Sequence, residues 1–153
     1  ARVIKLLVAM DFTDVSRLAC RFAAQYAHGL AAGEIYFLHV LADDAKGDGE
    51  TELQVIEAAV AQMRQLAEKE LITADGTRLT GTIDVRYRAV HGRPDVEILR
   101  IAREQAVDGI VVGTSGRTGV GRLLLGSVAE KVVRGAGCTV MVVKNTPSSQ
   151  SPS

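Results

Sequence analysis

The sequence predicts an α/β fold, a single domain built on an open parallel sheet with helices on both faces. Three observations predict it. Short apolar runs of strand character alternate with longer stretches whose apolar residues recur at helical spacing, and five strand segments emerge. Gly, Pro or Asp punctuates the junctions between them. The chain has 153 residues, the size of one domain. A chain that long buries roughly 68–70% of its unfolded surface and needs no disulfide or metal staple.

The elements follow in order. Residues 3–10 (VIKLLVAM) form a mostly apolar run bounded by polar residues, as in a strand buried on both faces. Val15, Leu18, Ala19, Phe22 and Tyr26 then recur at helical spacing, ending near Gly29. Residues 35–40 (IYFLHV) read as a second strand and residues 42–49 (ADDAKGDG) as a loop. Leu53, Ile56, Val60, Met63 and Ala67 are the apolar stripe of a long second helix. Residues 82–90 are a third strand. Pro94 suits the first turn of a third helix running through Ile98, Ile101 and Ala102. Residues 109–113 (GIVVG) are a fourth strand, followed by a glycine-rich loop, a short helix from Ser127 and a last strand, Thr139 to Val143. Residues 145–153 (NTPSSQSPS) read as a disordered polar tail. Such alternation implies right-handed crossovers, and open sheets of this kind bind ligands at the carboxyl ends of strands where the strand order reverses. That singles out residues 11–16 and 113–126. Patterning alone leaves the strand order open.

Composition narrows the function classes. Eighteen Lys and Arg balance eighteen Asp and Glu, so the chain lacks the basic footprint of a nucleic-acid binder. No run of about 18 apolar residues spans a membrane. The first apolar run is short and leads into Asp11, unlike a secretory leader. Cys20 and Cys138 lie far apart, without metal-type spacing, as expected of a cytoplasmic protein.

Five of the fifteen glycines fall at Gly113, Gly116, Gly119, Gly121 and Gly126. The segment GTSGRTGVGRLLLGS leads from a buried strand into a helix, whose free N–H groups and dipole make a ready anion site. It is not a P-loop, which needs GxxxxGK[ST]: in GRTGVGRL, Arg122 replaces the lysine and Leu123 the metal-binding hydroxyl. It is not a dinucleotide fingerprint either, since residues 119–124 read GVGRLL.

The spacing Gly113-x2-Gly116-x9-Gly126-Ser127, followed by VAEKVV, resembles the universal stress protein family. A first strand ending in VAMDFTDVS, the HV at Val40, AVHGRP after the third strand and the terminal TVMVVK agree, and the resemblance spans residues 3–144. It implies a five-stranded parallel sheet in the order 3-2-1-4-5 and, in the nucleotide-binding branch, a site for ATP with Mg²⁺ or Mn²⁺ bridging the phosphates. Carried onto this chain, Asp11 and the backbone at Val40 hold adenine and ribose, and Ala9 and Met10 line the same edge. Gly113, Gly116, Gly126 and Ser127 wrap the phosphates, with Thr114, Ser115, Arg117 and Val128 as neighbours. Ser115 stands where the family often has His. The glycine pattern is intact, unlike that of the branch that does not bind ATP.

Plainer readings stand beside these. Ser127 and Glu130 form S-x-x-E, a capping box. Thr13 and Asp14 suit a helix cap, whereas Asp11, at a strand end, suits ligand contact. Arg122 reads as solvated and Arg117 stays open. His39 reads as packing; His28 and His91 have no metal-ligand spacing. Both cysteines read as small buried hydrophobes. Asp84, Arg86 and Arg88 share one face of the third strand, opposite Val85 and Tyr87, the pattern of a charge-protected edge. The last strand is nearly all apolar, which predicts a homodimer through Thr139 to Val143.

The function expected is a cytoplasmic ATP-binding stress-response or signalling protein in which nucleotide acts as a regulatory ligand. No strong catalytic constellation is visible, so at most slow hydrolysis or autophosphorylation is expected, at hydroxyls such as Thr114, Ser115, Thr118 or Ser127. The alternatives are a genuine ATPase or nucleotidyl-transfer enzyme of the same fold, whose HIGH and SGGxDS signatures are absent, and a dimeric interaction module that binds no nucleotide.

Overall fold

The computed structural model describes residues 3–30, 33–42, 49–72, 76–78, 83–114 and 125–144. The elements run β1 (Lys5–Ala9), α1 (Asp14–Leu30), β2 (Glu34–Leu41), α2 (Gly49–Glu70), β3 (Asp84–His91), α3 (Pro94–Glu104), β4 (Gly109–Thr114), α4 (Ser127–Gly135) and β5 (Thr139–Lys144). All strand pairs are parallel and the order is β3-β2-β1-β4-β5. The expected order 3-2-1-4-5 is therefore the one found. The tail, residues 145–153, and most of the expected loop at 42–49 lie outside the described residues.

The central strands are apolar on both faces because each face is covered. Leu6 and Val8 pack with Phe37, Met63 and Val111 under α1 and α2; Leu7 packs with Leu38, Ile101, Ile110 and Val132 under α3 and α4. Alternate residues of one strand thus feed opposite cores.

Helix α1 departs from the stripe read in its sequence. Ala19, Ala23, Ala24 and Ala27 are fully buried, whereas Phe22 and Tyr26 are 40% and 41% exposed and stack on each other with ring centroids 5.9 Å apart. The alanine face lets α1 lie close to the sheet, and the large rings at helical spacing are turned outward. Leu53, at the start of α2, is likewise exposed, while Met63 and Ala67 are buried as expected.

One polar clamp joins the two helices on this side. Glu70, whose side chain is only 6% exposed, accepts from Arg21 at 2.8 and 2.9 Å and pairs with Arg17 at 3.5 Å. Both arginines are about half exposed, so water screens much of the attraction. Charged hydrogen bonds to a buried acceptor still contribute, and Glu70→Ala is expected to cost about 1–2 kcal/mol in urea unfolding. A change under about 0.5 kcal/mol would show the clamp to be neutral.

Candidate functional site

The sheet's topological switch lies between β1 and β4, and the chain beyond their carboxyl ends lines a cavity of about 470 Å³. That is within the usual range for small-molecule sites. Its wall is built from three stretches.

The first is the turn after β1. Phe12 holds φ +67°, a conformation uncommon outside glycine. Its ring lies 4.3 Å from that of His39, and His39 Nδ1 lies 2.6 Å from the Met10 carbonyl oxygen, which accepts a hydrogen bond from it. Asp11 Oδ1 accepts from the Thr13 N–H at 3.1 Å and the Thr13 hydroxyl at 2.6 Å. Thr13 Oγ1 in turn accepts from the Ser16 N–H, and Ser16 Oγ from the Asp11 N–H. Thr13 therefore caps α1, as its sequence position suggests, and the whole turn is pinned.

The second is the end of β2. Glu34 N–H donates to Ile4 O, and Met10 N–H donates to Leu38 O, so the even-numbered residues of β2 present their backbone groups toward β1. Val40 is the next of these. Its neighbour on β1 has already turned away, and the Met10 carbonyl is taken by His39. Among the described residues, Val40 has no backbone partner on that side. One donor and one acceptor are left beside the cavity that Val40 lines.

The third is the pair of ends of the glycine loop. Gly126 N–H donates to Thr114 Oγ1 at 2.8 Å, which ties the loop's exit to its entrance. Thr114 is 4% exposed and acts here as a clasp. The expected capping box does not form. Gly126 is the N-cap of α4, with no side-chain cap, so Ser127 occupies the first helical position, from which it does not cap. The first intrahelical bond is from Glu130 N–H to Gly126 O. The N–H groups of Ser127, Val128 and Ala129, all cavity residues, precede that bond and lack helical partners.

The two described glycines of the motif have different reasons to be glycine. A Cβ on Gly113 would stand 2.4 Å from Val15 Cγ1 and 3.3 Å from the Val15 backbone, so this glycine lets α1 pack on β4. Gly126 has φ −62°, which any residue adopts, and among the described residues a Cβ there would meet only Thr114 Oγ1, at 3.3 Å. Among the described residues, packing demands a glycine at 113 and not at 126.

Of the expected site residues, Ala9, Met10, Asp11, Val40, Gly113, Thr114, Gly126, Ser127 and Val128 line this one cavity. Ser115, Gly116 and Arg117 lie outside the described residues. Sequence reasoning missed Pro94 and Ile98 of α3 as cavity residues, together with Leu38 and Val112. Their apolar character reads as core, and only the crossover brings them to the site. His91 is not at the cavity: its imidazole is buried beside Glu52, 3.6 Å away, with no hydrogen-bond partner for either nitrogen among the described residues. Cys20 is buried as expected, whereas Cys138 is only half-buried; both thiols are free. Burial, reinforced by Glu70 for Cys20 and by Asp108 for Cys138, raises both thiol pKa values, so neither is tuned as a nucleophile. No group of three metal-ligating side chains occurs among the described residues, and no helix there is long and apolar enough to cross a membrane.

Comparison with known proteins agrees with the fold. Residues 4–144 match the universal stress protein family. The chain is 31% identical over 150 residues to universal stress protein MJ0531 of Methanocaldococcus jannaschii, covering 92% of this chain and 81% of that one. The solved structure of MJ0577, from the same organism, superposes with a TM-score of 0.73 at 28% identity, covering 95% of this chain and 99% of that one. A universal stress protein from Archaeoglobus fulgidus, solved in complex with dAMP, shares the fold with a TM-score of 0.63 at 20% identity, covering 94% and 98%. Family match, strand order and cavity position concur: the chain belongs to the universal stress protein family.

Proposed function

We propose that this protein is a cytoplasmic ATP-binding member of its family, in which nucleotide serves stress-response signalling as a regulatory ligand. One observation supports the reading: backbone groups without partners among the described residues line a single cavity on two sides. Val40 offers a donor and an acceptor, matching the hydrogen-bonding edge of adenine. Across from it, the N–H groups of residues 127–129 suit phosphate oxygens, favoured by the positive end of the α4 dipole. Asp11 stands at the same rim, and its Oδ2 is left for a ribose hydroxyl. Ser115, Gly116 and Arg117 are assigned to the phosphates with Gly113, Thr114, Gly126, Ser127 and Val128; Ala9 and Met10 line the base. The dAMP bound by the A. fulgidus protein is of the same ligand class.

A divalent ion, Mg²⁺ or Mn²⁺, would enter with the phosphates and offset their charge, since the described residues supply no ligand cluster of their own. Asp11 is the carboxylate at this rim, and its Oδ1 already accepts two bonds from Thr13. That employment favours a binding role over general-base catalysis.

The test is a thermal-shift titration with Mg-ATP, against AMP, cyclic AMP and GTP, alongside an assay of phosphate release. A selective stabilisation by ATP with negligible turnover is expected. No shift with any nucleotide, in protein shown to be nucleotide-free, would overturn the reading and leave a dimeric interaction module. Rapid phosphate release would make it an ATPase.

The same proposal includes a homodimer through β5. Val140, Met141, Val142 and Val143 are only partly buried along this sheet edge. An apolar edge with open backbone groups favours pairing with its own copy about a two-fold axis. Sedimentation at micromolar concentration is expected to give a dimer, and a monomer would rule the interface out.

A further inference from the structure

The opposite edge of the sheet, β3, carries a different chemistry. Asp84 N–H donates to Gly33 O and Gly92 N–H to Leu41 O, so the even-numbered residues of β3 bond to β2. Alternation then turns the backbone groups of Val85, Tyr87 and Ala89 outward. No strand pairs with this edge among the described residues. A groove of about 670 Å³ runs beside it. Arg86 and Arg88 line it on the α3 side, where Arg88 reaches the Tyr36 hydroxyl at 3.5 Å. Tyr87 lines it on the α2 side, stacked on Phe37 with ring centroids 5.4 Å apart and covered by the Arg64 guanidinium at 5.1 Å.

The described lining of the groove has more arginines than carboxylates, although the whole chain is neutral. Among the described residues, four arginines line it against two carboxylates, Glu68 and Asp84, and Glu68 meets Arg78 at 3.3 Å. Arg86 meets Glu34 at 3.1 Å, while Arg88 meets Glu104 only at 3.7 Å. A guanidinium has five N–H donors, so each keeps donors for a further acceptor.

We propose that β3 is a docking edge for an acidic, extended segment of a partner protein. The segment adds a strand beside Val85 and Tyr87, stopping short of the buried Ala89, turns alternate carboxylates toward Arg86 and Arg88, and lays its apolar residues against Tyr87. Charge complementarity selects this occupant. An all-apolar strand would bury the arginine face without partners, which is how charge protects an edge. A second copy paired over the full strand about Tyr87 would set Arg86 opposite Arg88 twice, and like charges directly opposite are destabilising. The site lies away from the nucleotide cavity and stands independently of it.

The experiment uses the full chain and a fluorescent, blocked heptapeptide alternating Glu and Val, followed by anisotropy. Saturable binding in the micromolar range is expected, weakened about tenfold or more in Arg86→Gln/Arg88→Gln, with circular dichroism confirming that the variant folds. The parent protein supplies a second readout. A peptide N-methylated at alternate backbone nitrogens, on the edge that faces β3, should lose binding, because strand addition needs those N–H groups. Equal affinity for the N-methylated peptide or for a Lys/Val peptide would overturn the proposal, as would no binding at millimolar peptide. Tighter binding of a single-stranded oligonucleotide would replace it with a polyanion patch. Association of copies that the peptide competes away would replace it with a second copy.

Discussion

Gly126→Val is expected to abolish the ATP-induced thermal shift while leaving the free protein folded. Gly126 lines the cavity, and among the described residues a Cβ there would meet only Thr114 Oγ1, at 3.3 Å. The backbone φ of −62° suits any residue, and the N–H bond to Thr114 needs no change. The expected cost to the free fold is about 1 kcal/mol, the difference between Gly and Val at an N-cap. The ligand loses more, because valine's branches occupy the space above the helix N-terminus where phosphate oxygens would approach. A nucleotide at about 100 times its dissociation constant stabilises a fold by roughly 2.7 kcal/mol, so the loss is readily seen in a melt. Gly113→Val is the companion. Its Cβ collides with Val15, so destabilisation of about 1–3 kcal/mol is expected with or without nucleotide. A Gly126→Val protein that still responds to ATP would remove the α4 N-terminus from the binding site.

Alkaline pH is expected to destabilise the protein through Cys20. Burial, and then the neighbouring charge of Glu70, pushes this thiol up to about 12. In the unfolded chain it titrates near its ordinary value of about 8.5. Between those values the folded chain holds a proton that the unfolded chain has lost, so rising pH favours unfolding. The contribution is complete below about pH 8.5 and falls by about 1.4 kcal/mol per pH unit above it, until the folded thiol titrates. Tyr87 acts in the same direction at higher pH, since burial and the adjacent Glu68 raise its hydroxyl. Urea unfolding at pH 8 and pH 10.5 should therefore show a loss of stability that is about 2–3 kcal/mol smaller in Cys20→Ala. An identical loss in both proteins would mean that the thiol does not govern the alkaline limit.

Most of the fold was legible because periodicity is a local property. The runs VIKLLVAM, IYFLHV and GIVVG announce strands covered on both sides, and Pro94 marks where a helix begins. The glycine spacing, with the resemblance it carries, pointed to nine residues that do line one cavity. The misreadings are equally physical. Phe22 and Tyr26 fall on a plausible apolar stripe, but an alanine face packs closer to the sheet and wins the interior. Ser127 and Glu130 spell a capping box, yet the chain enters the helix one residue earlier, at Gly126, because Thr114 holds that N–H.

Other features arise only when distant segments meet. Glu70 clamps Arg21 across 49 positions, and Gly126 is tied to Thr114 across 12. The open backbone at Val40 exists because β1 ends at Ala9, opposite Leu38, while β2 runs on to Leu41, and because His39 has captured the Met10 carbonyl. Pro94 and Ile98 reach the cavity because a crossover returns α3 over the sheet. Local patterns set which face of each segment is apolar and where the chain turns. Which backbone groups are left without partners depends on where neighbouring strands stop, a relation between residues far apart in the chain. The nucleotide contacts proposed for this cavity rest on those groups.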